Sequence, residues 1–205
     1  MFNESLYLKI TKAKPLSRAF YKRKVVKVAI DLLGKILVRK YNNKILSGKI
    51  VEVEAYNGVT DPASHAYKGM TPRNKVMWDH PGKVYVYTIY GIHYCLNLIA
   101  EPKGIPAAVL IRALQPIIGI EEMIKNRGVN DLTKLTNGPA KLTQALKITK
   151  ELNGIDATVK DALYVVNPPS KENIEIVSSK RIGITKGTNK LWRFYIKNNP
   201  FVSKK

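Results

Sequence analysis

Glu54 is the side chain most able to do chemistry unaided. It ends the run Lys49-Ile50-Val51-Glu52-Val53-Glu54, ahead of Ala55-Tyr56 and a glycine- and proline-rich segment. A carboxylate at a strand end, beside a loop, can take a proton from an attacking water. Flat side chains follow it: Tyr56 two residues on, His65 in the next loop and Tyr87 beyond. Such rings can hold an unstacked nucleobase. Glu52 shares the strand face with Glu54, about 7 Å away by strand rise. The two could form the carboxylate pair of a glycosidase, but Glu52 is read first as a structural residue behind its neighbour. A glutamate on a solvated strand face is the plain alternative for either.

Tyr85, Tyr87 and Tyr90 fall within the six residues that precede Gly91. Half-buried strand aromatics would account for them. If the strand bends at Gly91, however, Tyr90 stands on a protruding hairpin, where an aromatic wedge can enter a base stack. Arg112 lies in the apolar run Ala107 to Leu114 and needs an anionic partner, either Glu54 or a phosphate. Lys141 and Lys150 sit in the segment 139–150, next to the Asn137-Gly138-Pro139 turn, whose N–H groups could meet a phosphate. Arg73, Arg181 and Arg193 are candidates either for bridging phosphate or for structural pairs. One cysteine and three histidines argue against a disulfide framework and a Cys/His zinc site, and Cys95 reads as a core residue. Ser64-His65 resembles a nucleophile and base only by adjacency.

These residues need a folded frame. At 205 residues the chain is long enough for one domain with a sizeable core. Lys and Arg number 35 against 15 Asp and Glu, a net charge of +20, which suits a polyanionic partner such as DNA, RNA or an anionic surface. No run is long and apolar enough for a membrane span, and no signal peptide is read at the N-terminus; a soluble protein of a reducing, intracellular compartment is expected. Residues 1–24 read as a basic arm that Pro15 and Lys22-Arg23-Lys24 keep from being one regular element. Val25 to Leu33 reads as a helix closed by Gly34. Lys35–Tyr41 and Ile45–Tyr56 read as paired strands joined at Asn42-Asn43, with Val51, Val53 and Ala55 on one face and Glu52 and Glu54 on the other. Residues 57–82 form a long irregular loop. Lys83 to Ala100 reads as a hairpin or a sharply bent strand whose bend carries Tyr90, and Ala107 to Leu114 as another strand. Gly119–Asn126 and Pro139–Ile148 read as helices, and Tyr164–Val166, Ile174–Val177 and Arg193–Ile196 as short strands. The sum is a mixed domain of mostly antiparallel strands.

Several ordered motifs together resemble the alkyladenine (3-methyladenine) DNA glycosylase family. They are Gly48-Lys-Ile-Val-Glu-Val-Glu54-Ala-Tyr56, Asp61-Pro-Ala-Ser-His65-Ala and Thr71-Pro-Arg-Asn74. Further along stand Pro81-Gly-Lys-Val-Tyr-Val-Tyr-Thr-Ile-Tyr-Gly91, Cys95-Leu-Asn97, Leu110-Ile-Arg-Ala-Leu-Gln-Pro116 and Gly138-Pro-Ala-Lys-Leu-Thr-Gln-Ala-Leu146. Arg181-Ile-Gly183 and Arg193-Phe-Tyr195 complete the match. The resemblance leaves out the basic arm of residues 1–19 and implies an α+β fold: one mixed domain (residues 20–205) around a curved, mostly antiparallel sheet flanked by helices, with a protruding hairpin. It implies a monofunctional enzyme of base-excision repair that flips damaged purines such as 3-methyladenine, hypoxanthine or ethenoadenine out of double-stranded DNA and hydrolyses the N-glycosidic bond. Glu54 would deprotonate the water and Arg112 help hold it. Tyr56, His65 and Tyr87 would sandwich the base, Asn97 would screen its edge, and Tyr90 would fill the gap in the helix. Arg73, Lys141 and Lys150 would meet the DNA. The resemblance implies a cytoplasmic monomer without metal, organic cofactor or membrane. His93 and Thr143 depart from the usual pattern and bear on lesion preference, not on the reaction. Two rivals remain from the residues alone: a nucleic-acid-binding module without activity, and a glycosidase of nucleosides or small sugars using Glu52 with Glu54.

Overall fold

The computed structural model describes residues 4–203, and its longest element is the strand β2, Lys44–Asn57. Before it runs β1, Ile36–Tyr41. The two meet at Asn42 and Asn43, both at positive φ (46° and 60°), as a tight two-residue hairpin requires. The other strands are β3 (Val84–Ile89), β4 (His93–Ile99), β5 (Ala107–Ile118), β6 (Leu163–Val166), β7 (Ile176–Ser179) and β8 (Arg193–Ile196). They form one sheet in the order β3-β4-β5-β2-β1-β6, with β8 and then β7 attached to β2. Every pairing is antiparallel. One edge of β2 serves two partners in succession, β1 along Lys44–Lys49 and β8 along Glu52–Glu54. Its other edge follows β5 through register shifts at Ser47/Gly48, Ile50/Glu52 and Glu52/Val53. Such bulges bend and twist a strand, and here they accompany a curled sheet.

Period-2 alternation divides the sheet into two unlike faces. Val51, Val53, Ala55, Val84, Val86, Leu96, Leu98, Val109 and Ile111 turn to the main core. Three helices seal that side: α3 (Val25–Leu32), α4 (Ile120–Arg127) and α6 (Pro139–Ala145), contributing Val28, Leu32, Met123 and Leu142. Full burial of each such side chain is worth ~1.5–3 kcal/mol. The opposite face carries the polar and aromatic residues of the same strands, and the 57–82 loop folds over it. Ala66, Val76 and Met77 of that loop pack on Tyr85, Ile99 and Ala108.

The loop is irregular but ordered by its own side chains. The Asn57 carboxamide oxygen accepts from the N–H groups of Val59 and Thr60, and the Asn74 amide donates to the carbonyls of His65 and Gly69. A single 3₁₀ turn, Lys75–Trp78, interrupts it. Ahead of α3, where the sequence reads as a basic arm, come two further helices, α1 (Glu4–Lys12) and α2 (Arg18–Tyr21), on either side of Pro15. Ile10 of α1 is buried against Ile36, Val38, Tyr164 and Val166. Residues 1–3 of the expected arm and 204–205 of the expected domain lie outside the described residues.

Other boundaries moved for local reasons. The helix expected over Pro139–Ile148 stops at Ala145, because Lys147 turns left-handed at φ 50°. The strand expected at Ile174–Val177 is Ile176–Ser179, where β8 supplies partners. A short helix, α5 (Leu132–Leu135), was not expected; the Asp131 carboxylate caps it by accepting from the Thr133 N–H. Among the described residues no helix is long and apolar enough to cross a membrane.

Candidate active site

One row of register partners crosses the sheet on its aromatic face: Tyr85, Asn97, Leu110, Glu54 and Arg193. Tyr87 pairs with Cys95 in the next row. Between Leu110 and Ala113 the register of β5 slips, so that Glu52 lies opposite Ala113 and Val53 opposite Ile111. Arg112 is left at the bulge without a strand partner, and its side chain reaches both glutamates. A bulge that re-aims one side chain is a common device beside active sites.

Above this floor opens a cavity of about 620 Å³. Of the ten residues expected to act on the base or the DNA, Tyr56, His65, Arg73, Tyr87, Tyr90, Asn97, Arg112 and Lys141 line it. Lys150 does not; it stands exposed in a separate 3₁₀ turn, Lys150–Leu152. Glu54 lies directly beneath the lining, with 0% of its surface exposed. Its Oε1 accepts from the Ile182 N–H at 2.8 Å and faces Arg112 Nη1 at 3.2 Å, and its Oε2 accepts from the Tyr56 hydroxyl at 2.7 Å. All three donors belong to residues that line the cavity. Burial first, then the Glu54 charge, pushes the Tyr56 phenol up, so its hydroxyl keeps the proton it donates.

Glu52 has a different neighbourhood. It accepts from Arg112 Nε (3.0 Å), Arg193 Nε (2.8 Å), the Ser203 N–H (2.6 Å) and the Ser203 hydroxyl (2.8 Å). Burial works to raise its carboxyl, but the Arg193 bond, the Ser203 donors and the Arg112 charge outweigh burial and hold it below the ordinary range. Arg112 is desolvated too, yet Glu54 and Glu52 raise it further. Glu52 is thus the anchor of Arg112, and with its donors complete it offers no second carboxylate to the cavity.

The walls are aromatic. The rings of His65 and Tyr87 meet edge to face, 4.5 Å between centroids at 76°, so no base fits between those two. His65 Nδ1 shares a hydrogen bond of 3.2 Å with the Tyr85 hydroxyl. Burial, and then Arg73, lowers the His65 pKa, which keeps the imidazole neutral near pH 7. Arg73 sets its guanidinium 5.3 Å from the Tyr87 ring and donates to the Thr88 carbonyl. Asn97 donates its amide to the Tyr85 carbonyl at 3.1 Å. Tyr90 stands at the hairpin tip, 86% exposed, with φ 53° followed by Gly91 at φ 75°. Asn and Gly suit these two positions; a tyrosine there is strained and calls for a functional reason. Lys141, which lines the cavity, donates its ammonium to the Asn137 carboxamide oxygen at 2.9 Å.

Of the two readings open for Arg181 and Arg193, the structure favours the structural pair: both are buried, Arg181 on Asp61 and Arg193 on Glu52. Sequence reasoning missed Tyr85 as a wall residue, although its period-2 spacing with Tyr87 carried that signal. The Ile182–Lys186 loop had no such signal, since its contribution begins with a backbone N–H. Among the described residues no group of three His, Cys, Asp or Glu side chains could hold a metal ion.

The model of the methylpurine-DNA glycosylase (MPG) family matches residues 19–200. A protein of Clostridium novyi (strain NT) named "Putative 3-methyladenine DNA glycosylase" is 50% identical, over 94% of this chain and 100% of its own. Proteins of the same name from Carboxydothermus hydrogenoformans (strain ATCC BAA-161 / DSM 6008 / Z-2901) and Francisella tularensis subsp. tularensis (strain WY96-3418) are also 50% identical. They align over 93% and 91% of this chain, and 99% and 97% of their own. The molecule is therefore a DNA-repair glycosylase, a hydrolase of N-glycosyl bonds. The chain belongs to the methylpurine-DNA glycosylase family.

Proposed function

We propose that this enzyme removes alkylated or deaminated purines, of the 3-methyladenine, hypoxanthine and ethenoadenine class, after flipping them from double-stranded DNA. The observation that carries the reading is the carboxylate of Glu54, gripped by Arg112, Tyr56 and Ile182 under a ring-lined cavity. Glu54 is the general base. Its surface is fully covered, so a donor must yield before water reaches it. Tyr56 is that donor, because the arriving base meets its ring. As the base stacks between Tyr56 and the His65–Tyr87 wall, the hydroxyl turns aside and water takes its place at Oε2. The water oxygen then bonds to the sugar carbon, its proton passes to Glu54, and the glycosidic electron pair leaves with the base. Arg112 holds the water beside the carboxylate, and Asn97 screens the purine edge.

An alkylated purine carries positive charge and leaves readily, and a neutral His65 does not repel it. A neutral lesion such as hypoxanthine needs a hydrogen bond or proton at the departing ring. Tyr90 wedges into the gap, while Arg73, Lys141 and Lys150 meet phosphates, and the basic arm of residues 1–19 adds sequence-independent attraction. The test is a panel of duplexes carrying each lesion, assayed for free base and an alkali-labile abasic site. Release from the lesion duplexes and not from undamaged DNA is expected. Salt-sensitive binding without base release, or turnover of free nucleosides, would sink the reading.

A further inference from the structure

Arg181 is the most heavily committed cation near the site, and no step above uses it. Its side chain is fully buried and grips the Asp61 carboxylate with both terminal nitrogens. Nη1 also donates to the Ala55 carbonyl at 2.9 Å, between Glu54 and Tyr56, and Nη2 to the Gly187 carbonyl at 3.2 Å. The guanidinium carbon lies 4.6 Å from the centre of the Tyr56 ring and 5.6 Å from that of Trp192. The next residue in the chain, Ile182, donates its N–H to Glu54. One ion pair therefore ties three segments together: the 57–82 loop through Asp61, strand β2 through Ala55, and the 181–187 loop through its own backbone. The packing is tight. A Cβ on Gly187, which sits at φ 60°, would come within 2.8 Å of Asp61 Oδ1 and 3.2 Å of Arg181 Nη2.

We propose that the Asp61–Arg181 pair is a positioning device for the hydrolytic step, with Arg181 as its positioning residue. Resting on the reading of Glu54 as general base, it deepens that reading without adding a group that touches substrate. The pair fixes the Ile182 N–H against Oε1 and backs the Tyr56 ring. Oε1 is thereby held, and Oε2 is the carboxylate oxygen left for the water once the Tyr56 hydroxyl yields. Planar fork geometry does this and a point charge does not, so lysine is a poor replacement. The DNA-facing residues Tyr90, Lys141 and Lys150 are left untouched, and the effect falls on the rate of bond cleavage rather than on binding.

The experiment measures single-turnover base release and, separately, lesion-duplex affinity for wild type, Arg181→Lys and Gly187→Ala. Arg181→Lys keeps the charge and loses the fork. Gly187→Ala crowds the pair and changes no charge. Misplacing a reacting group by about 1 Å costs ~100-fold in rate, so release should fall ~10- to 100-fold in Arg181→Lys and less in Gly187→Ala. Affinity should stay within about 3-fold in both, since the phosphate contacts that carry it are unchanged. Unchanged release in either folded variant, or release and affinity falling in parallel, overturns the proposal. Should Arg181→Lys fail to fold, Gly187→Ala alone decides. Failure of the wild type to release base is a separate result, and it removes the general-base reading itself.

Discussion

Glu52 and Glu54 stand two residues apart on one strand face, share Arg112 and are both fully buried, yet they occupy two different regions. Around Glu52 the donors come from Arg112, Arg193 and the chain near Ser203, which close a sealed hub. Around Glu54 every donor belongs to a residue that also faces the cavity. Arg112 joins the regions, giving Nε to the first glutamate and Nη1 to the second. The difference teaches that chemistry is assigned by what the neighbours can release. A carboxylate whose partners are locked is a strut; one whose partner meets the substrate can become a base. A nucleosidase using both glutamates loses its footing on the same ground.

The sharpest way to break this contrast is to neutralise each carboxylate in turn. Glu54→Gln should lower base release by ~10²–10⁴, the usual worth of a general base. Its affinity for a lesion duplex, measured by titration at fixed salt, should hardly change. Glu52→Gln should act chiefly on the fold: removing one partner of a buried ion pair costs about 3–5 kcal/mol, read as a lower denaturant midpoint. Its residual release per folded molecule should exceed that of Glu54→Gln. If Glu52→Gln kept its stability and lost all activity, the roles assigned to the two regions would be reversed.

A second prediction sets the hairpin tip against the rest of the sheet. Tyr90 occupies a left-handed position that asparagine accepts more easily, the relief being worth about 1 kcal/mol. Tyr90→Asn should therefore raise the melting temperature slightly while weakening lesion-duplex affinity by about tenfold, because unstacking a step costs a few kcal/mol that the wedge offsets. A variant both more stable and equally tight would remove the wedge.

The two faces of the sheet also differed in legibility. The core face followed from alternation: Val51, Val53 and Ala55 turned inward together, and the 83–100 hairpin bends at Tyr90-Gly91 as expected. Glu54 could be named from its place at a strand end beside a loop, Arg112 from the anionic partner an arginine needs in an apolar strand, and the tyrosines from their flat rings and the bend at Gly91. The Arg112 bulge could not be read, since it depends on how β2 and β5 slip past one another. The Asp61–Arg181 pair spans 120 residues of sequence, and the Ile182 donor is backbone, common to nearly every residue type. Long-range pairing and main-chain donors leave no local trace in composition or spacing.

The smallest expected effect separates the cavity wall from the sealed hub by pH. His65 titrates below the ordinary histidine value of 6.5 because burial and Arg73 disfavour its charged form. The unfolded chain then binds a proton before the folded one does. Stability is level above about pH 6.5 and falls as pH drops toward the lowered folded pKa. Glu52, depressed from 4.5, contributes stability above that value and loses it only as pH falls through its lower folded pKa. The interval between pH 6.5 and 5 therefore reports the wall and leaves the hub intact. Melting temperatures across it should fall more steeply for wild type than for His65→Asn. The difference is small, because His65 still meets solvent through the cavity and water screens its charge. Acid should also slow release of cationic alkylated purines relative to neutral hypoxanthine, since an imidazolium beside the wall repels only the former. Parallel melting curves for the two proteins would move the neutral histidine out of the argument and leave Tyr56 and Tyr87 as the rings that select the base.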